Sequence, residues 1–181
     1  MSDEPALADQ PAANSEDETT RDGPAANEDT ATLGRLEAIW IKRAHGGKMD
    51  PAEVATFAAK KGIVGNADWG GWRQVTIIDQ KKWESVTSAL GVTLDPSTRR
   101  ANLMLRGLDL ANCRDKVMSI GGVRLKMLNE TAPCNLMDEA HHGLKDALKP
   151  DWGGGAFGYV IDDGEIAVGD EVCWVEEEEQ G

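Results

Sequence analysis

The chain has 181 residues, with 32 acidic against 19 basic side chains and a net charge of −13, enough length for one domain with a core of its own. A charge of that sign argues against nucleic acid and anionic membrane surfaces as partners. Cys113, Cys134 and Cys173 are an odd number at wide, unpatterned spacing, from which neither a zinc spacing nor a disulfide framework can be read, and no apolar run approaches the roughly 20 residues of a membrane span.

The acidity is uneven. Residues 1–30 carry nine acids and one Arg, and Glu176 to Glu179 add four more, so residues 31–175 are close to neutral. The first 30 residues also lack any aromatic side chain. Such a segment buries too little surface to offset its ordering entropy, and it is expected to be a disordered acidic tail. Residues 31–175 are expected to form the domain, and 176–181 a second acidic tail. The opening Met1-Ser2-Asp3-Glu4-Pro5 has neither the basic nor the apolar region of a secretory signal. A reducing cytoplasm is the expected compartment.

In chain order, Arg35 to Arg43 alternates like a first strand. Asp50-Pro51-Ala52-Glu53 carries helix-start residues, which predicts a helix from Pro51 to Lys61 stopped by Gly62. A glycine-punctuated loop, 62–71, enters a strand at Trp72 to Ile78. Asp79 caps a helix through Leu90, closed by Gly91. After a turn at Asp95-Pro96, Arg99 to Arg106 reads as a strand, and Val117 to Ile120 and Val123 to Leu128 as two more joined by Gly121-Gly122. Leu136, Ala140, Leu144 and Leu148 fall at four-residue steps on one face of a helix ended by Pro150. Ala156 to Ile161, Glu165 to Val168 and Glu171 to Val175 complete a set of short strands. Many short strands with glycine turns predict a mainly β fold, a curled or closed sheet with a few peripheral α-helices.

Two spots carry candidate chemistry. Pro133 confines Ala132 to extended geometry, so Cys134 falls at the first turn of the following helix. Unpaired N–H groups and the helix dipole favour a thiolate there, the form that attacks electrophiles, carries sulfur or ligates a soft metal. A small, inert cysteine is the other reading. In a strand, Arg100 and Asn102 project from one face, a guanidinium beside an amide, which suits a phosphate or the edge of a heterocycle. A surface Arg is the bland alternative. Arg73 and Gln74, after Gly70, are expected at the same rim, where loop glycines offer N–H groups to an anion. His141 and His142 lie too far along the helix from Cys134 to act as its base, which argues against a Cys–His hydrolase.

In sequence the motifs run Gly62-x-x-Gly65, Gly70-x-x-Arg73-Gln74-Val75, Arg100-x-Asn102-Leu103, Ile120-Gly121, Pro133-Cys134 and Gly164-x-Ile166-x-x-Gly169-Asp170. Their order resembles the MOSC family, the domain at the C-terminus of molybdenum cofactor sulfurases, as a stand-alone copy over Leu33 to Val175. The resemblance implies a β-barrel and a bound molybdopterin-type molybdenum cofactor. It implies that Cys134 is the molybdenum ligand or a persulfide carrier, with Arg100 and Asn102 on the cofactor. Reduction of N-oxygenated small molecules, or sulfur transfer, would follow, with an electron-donor protein or a cysteine desulfurase as partner. A non-enzymatic carrier of persulfide or cofactor is the alternative. Where the family often reads Gly-Asp-x-His, this chain has Gly65-Asn66-Ala67-Asp68.

Overall fold

The computed structural model describes residues 33–177, so most of the two acidic tails lies outside it. Among these residues, eleven strands, three short helices and two 3-10 turns follow one another. Strand β1 (Gly34–Lys42), β5 (Val75–Asp79), β6 (Leu103–Arg106), β7 (Val117–Ile120), β8 (Val123–Glu130), β9 (Ala156–Val160) and β11 (Glu171–Val175) pair in the cyclic order β1-β6-β5-β9-β8-β7-β11. Pairing of Gly34 with Val172 returns the sheet to β1 and closes a seven-stranded barrel. Strand β2 (Met49–Ala52) extends β1 outside that ring, and β10 (Gly164–Ala167), β3 (Val54–Ala58) and β4 (Gly62–Ile63) form a separate small sheet. The mainly β expectation is met.

Alternation explains the interior. Inward positions such as Leu36, Val75, Ile77, Leu103, Leu105, Met118, Leu125 and Val160 are fully buried and form one continuous core. Helix α1 (Gln80–Ala89) crosses over between β5 and β6, which are the one parallel pair among the described residues. Asp79 caps α1 by accepting from Lys81 N. Gly91, at φ +68, closes it: Gly91 N and Val92 N donate to Ser88 O and Thr87 O, the paired bonds that a left-handed residue permits. Trp83 and Val86 of α1 pack with Met137, Leu144 and Leu148 from α2 (Asn135–Ala140) and α3 (Leu144–Ala147) in a satellite core. No helix among the described residues is long and apolar enough to cross a membrane.

Three local expectations are corrected. The helix predicted over Pro51 to Lys61 is strands β2 and β3. Within β3 burial alternates, with Ala55 and Phe57 inward and Val54 and Thr56 outward, and pairing with β10 outweighs the helix-start residues. Pro51 is tolerated because β2 is an edge strand. The strand predicted from Arg99 begins only at Leu103; Pro96–Arg99 is a 3-10 turn capped by Asp95, and Arg100 follows at φ 63. The long helix after Cys134 is broken between His141 and Gly143, where Gly143 takes φ +87, so Leu136 stays exposed while Leu144 and Leu148 dock.

Candidate functional site

A cavity of about 250 Å³ opens where the segments entering β5 and β6 meet the turn that carries Cys134. Arg100, Asn102, Arg73 and Cys134 all line it, so the structure brings together four of the residues singled out in the sequence. Arg100 and Asn102 arrive by a left-handed turn rather than by a shared strand face. Gln74 and Gly70 do not line it. Gln74 is buried and its Oε1 accepts from Val160 N, which ties β5 to β9; Gly70 N donates to Lys61 O in the glycine loop. None of the three histidines lines the cavity either.

Cys134 caps α2 with an extended backbone and an exposed side chain that makes no capping bond. The turn beneath it is fastened by Arg99, whose Nε donates to Gly154 O at 2.8 Å and whose Nη2 donates to Thr131 O at 2.9 Å. Gly154 must be glycine here: a Cβ would fall 2.2 Å from Thr131 O and 3.1 Å from Arg99 Nη2. Arg99 is only 6% exposed. Burial pushes its pKa down to about 10, the charge of Cys134 opposes that shift, and Arg73 adds to it.

Asn102 belongs to the wall. Its Oδ1 accepts from Thr76 N and Thr76 Oγ1, and its Nδ2 donates to Trp40 O and to Asn66 Oδ1. Asn66 Oδ1 also accepts from Lys42 N. All four hydrogen-bonding positions of the Asn102 amide are therefore occupied by protein, and the residue locks β1, β5 and the glycine loop to one another. Arg100 Nη2 donates to Gly47 O at 2.9 Å, and the Arg73 guanidinium lies 4.7 Å from the centre of the Phe157 ring. At the mouth, Lys42 Nζ donates to Asp68 Oδ2 at 2.5 Å and His45 Nδ1 stands 3.7 Å from Asp68 Oδ1.

Four cations (Lys42, Arg73, Arg99 and Arg100) thus face one carboxylate, Asp68, in a protein of net charge −13. Such a cavity concentrates anions. Among the described residues no three His, Cys, Asp or Glu side chains converge on a metal position. Lys42, Arg99 and Thr131 escaped the sequence reading. The tandem Arg99-Arg100 was the available signal, and strand alternation pointed it the wrong way.

The fold and site define a closed β-barrel with a cationic cavity faced by one cysteine. Residues 42–173 match the model of the MOSC domain, and the chain belongs to that family. No curated protein sequence matches the chain. Similar solved structures include the YuaD protein from Bacillus subtilis, at 16% identity and a TM-score of 0.71 over 81% of this chain and 97% of that one. YiiM from Geobacillus stearothermophilus is similar at 16% identity and a TM-score of 0.64, covering 79% and 75% of the two chains. YiiM from Escherichia coli follows at 14% and 0.59, covering 80% and 71%. At these identities the likeness is one of fold.

Proposed function

We propose that the cavity binds a molybdopterin-type molybdenum cofactor and that the protein uses it to reduce N-oxygenated small molecules, with electrons delivered by a separate protein. The observation that carries this is the donor set: one exposed thiol facing a cluster of guanidinium groups. A bare metal ion needs several protein ligands, whereas a metal that brings its own sulfur ligands needs one soft donor. Guanidinium groups suit the phosphate that accompanies such a cofactor. The residues present fit the group.

When bound, the cofactor supplies two-electron chemistry at the oxygen of the substrate. Cys134 would be its protein thiolate, and Arg100 and Arg73 would hold its phosphate. Asn102 keeps Arg100 and Lys42 in register through the wall. A hydroxylamine takes up two electrons and two protons to give an amine and water. Asp68, between Lys42 and His45 at the mouth, is placed to pass protons inward from bulk water.

One observation favours a second reading: the Cys134 thiol is exposed and makes no capping bond. In that reading Cys134 thiolate attacks the outer sulfur of a desulfurase persulfide, takes it as a Cys134 persulfide and releases the donor thiolate. Metal and pterin analysis of protein from a molybdenum-replete host separates the two. Stoichiometric molybdenum in the wild type that is lost in Cys134→Ser, with turnover of a hydroxylamine, supports the reductase. A metal-free protein that gains the mass of one sulfur atom at Cys134 beside a desulfurase supports the carrier.

A further inference from the structure

The turn between β1 and β2 and the glycine loop, residues 42–50 and 61–73, hold five cations against two acids in a protein of net charge −13. Both acids are taken, Asp68 by Lys42 and Asp50 by Arg43. Lys48 and Lys61 are exposed and have no ion-pair partner among the described residues. Trp69 and Trp72 stand out on the same loop at 48% and 68% exposure, whereas the other four tryptophans are buried or half-buried. The loop's glycines draw these groups together. A Cβ on Gly65 would fall 2.8 Å from Arg43 Nη1, and one on Gly70, between the two tryptophans, 3.9 Å from Lys61 Cδ. Trp72 is braced edge-on at 5.0 Å against Phe157, the ring that also carries the Arg73 guanidinium. Asp68 and Arg73, the chain neighbours of the two tryptophans, line the cavity, and Gly47, next to Lys48, accepts from the cavity residue Arg100. The face therefore borders the cavity mouth.

Tryptophan and arginine are the side chains that most often anchor a protein–protein interface, with charged groups at its rim. Charge decides the occupant. A second copy in a two-fold pairing would set this cationic face against itself. Both acidic segments join the barrel at its other end: Leu33 precedes Gly34, and Glu176 follows β11, whose Val172 pairs with Gly34. Nine residues of β1, about 30 Å, separate that end from Lys42. Acid at one end and base at the other turn the cavity end toward an acidic protein during encounter. Resting on the reading above, in which electrons come from a separate protein, we infer that Trp69 and Trp72, with Arg43, Lys48 and Lys61 around them, form the docking surface for an acidic electron-donor protein. Docked there, the donor sits at the mouth of the cavity that Cys134 lines.

The test titrates full-length, cofactor-free protein with two acidic donors, a plant-type ferredoxin and a flavodoxin, by calorimetry at low and high salt. At least one should bind, and its affinity should fall about tenfold or more between 50 and 300 mM NaCl, values chosen on the order of the screening range. Reversing two exposed charges, Lys48→Glu with Lys61→Glu, breaks no bond within the protein and should weaken low-salt binding about tenfold or more. Trp72→Ala should weaken it about tenfold at either salt, with Trp72→Phe recovering part of the loss. Binding to neither donor, or equal affinity in wild type and the double reversal, overturns the surface. So does a dimer that Trp72→Ala dissociates, which assigns the face to a second copy, or tighter binding to phosphatidylserine vesicles than to either donor, which assigns it to a membrane. Hydroxylamine turnover driven by dithionite-reduced methyl viologen needs no docked protein and should be equal in wild type and variants; a rate that falls in Trp72→Ala places that ring in the substrate site and overturns its docking role. Absence of molybdenum and of dye-driven turnover defeats the cofactor reading alone, because the isotherms decide the surface without it.

Discussion

Replacing Asn102 with Ala separates a wall residue from a ligand-binding one. In the wild type its amide satisfies the backbone N–H of Thr76 and the carbonyl of Trp40 and shares Asn66 Oδ1 with Lys42 N. Truncation leaves Asn66 Oδ1 one remaining donor but strips the side-chain partner from Thr76 N and Trp40 O in a region only 3% exposed at residue 102. Each buried group left unsatisfied costs about 1–3 kcal/mol. The cavity next door lets water reach part of the vacated space, so the lower half of the range applies to each group. The expected loss for the two is about 2–4 kcal/mol. Urea unfolding followed by tryptophan fluorescence measures it, with Asn102→Asp as the companion. The Asp variant keeps the acceptor for Thr76 but sets an oxygen against Trp40 O and Asn66 Oδ1, so it should lose comparable stability despite its matched shape. An Ala variant within about 0.5 kcal/mol of wild type would refute the clamp, since an error of that size lies inside ordinary surface effects.

Gly154→Ala should destabilise the protein by at least about 2 kcal/mol, because the new Cβ meets Thr131 O, a backbone atom that cannot swing away; chemical denaturation against Gly169→Ala, where the Cβ meets nothing within 4 Å and only the positive φ opposes it, isolates the clash. Iodoacetamide at pH 8 followed by peptide mapping should label exposed Cys134 in the folded protein and spare Cys113, whose buried thiol is pushed up to about 11; labelling of Cys113 ahead of Cys134 would contradict the burial. The Asp162 carboxyl is held below its ordinary value by hydrogen bonds from Arg124, so the folded state binds its proton less readily than the unfolded chain does. That stability is present above the ordinary carboxylate value of 3.8 and is lost as pH falls below it. Asp162→Asn should therefore flatten the unfolding midpoint between pH 5 and pH 3, by no more than about 1 kcal/mol for a pair that water still reaches.

The barrel was legible because its strands alternate, and the cap and stop residues of α1 were legible because Asp79 and Gly91 act locally. The failures share one cause. Asp50-Pro51-Ala52-Glu53 carries the residues of a helix start, yet β10, more than a hundred residues away, recruits the next segment into a sheet. A single sequence shows the local preference and not the distant edge that overrides it. At the site, Cys134 was legible from Pro133 and the helix that follows, whereas Arg99 was not. Reading 99–106 as one strand points Arg99 and Arg100 to opposite faces. The 3-10 turn started by Asp95-Pro96, ending in a left-handed Arg100, instead brings both to one cavity. That turn start was visible in the sequence, and giving it priority over alternation would have found the buried guanidinium.

The site also follows from topology. In an antiparallel neighbour pair, the entry of one strand lies beside the exit of the other, and a tight hairpin can close the gap. Strands β5 and β6 run parallel, with Ile77 opposite Leu103 and Asp79 opposite Leu105, so their two entry segments lie side by side and no hairpin can join them. Those segments are the glycine loop ending at Gln74 and the turn from Asp95 to Asn102. Strand β1, antiparallel to β6, delivers Lys42 to the same end. Three unconnected loops meeting at one rim leave a hollow, and apart from Asp68 the charged side chains they contribute are cations. The chain needs α1 as the crossover that makes the parallel pair possible, so the helix that contributes no side chain to the cavity is what permits a cavity at that end of the barrel.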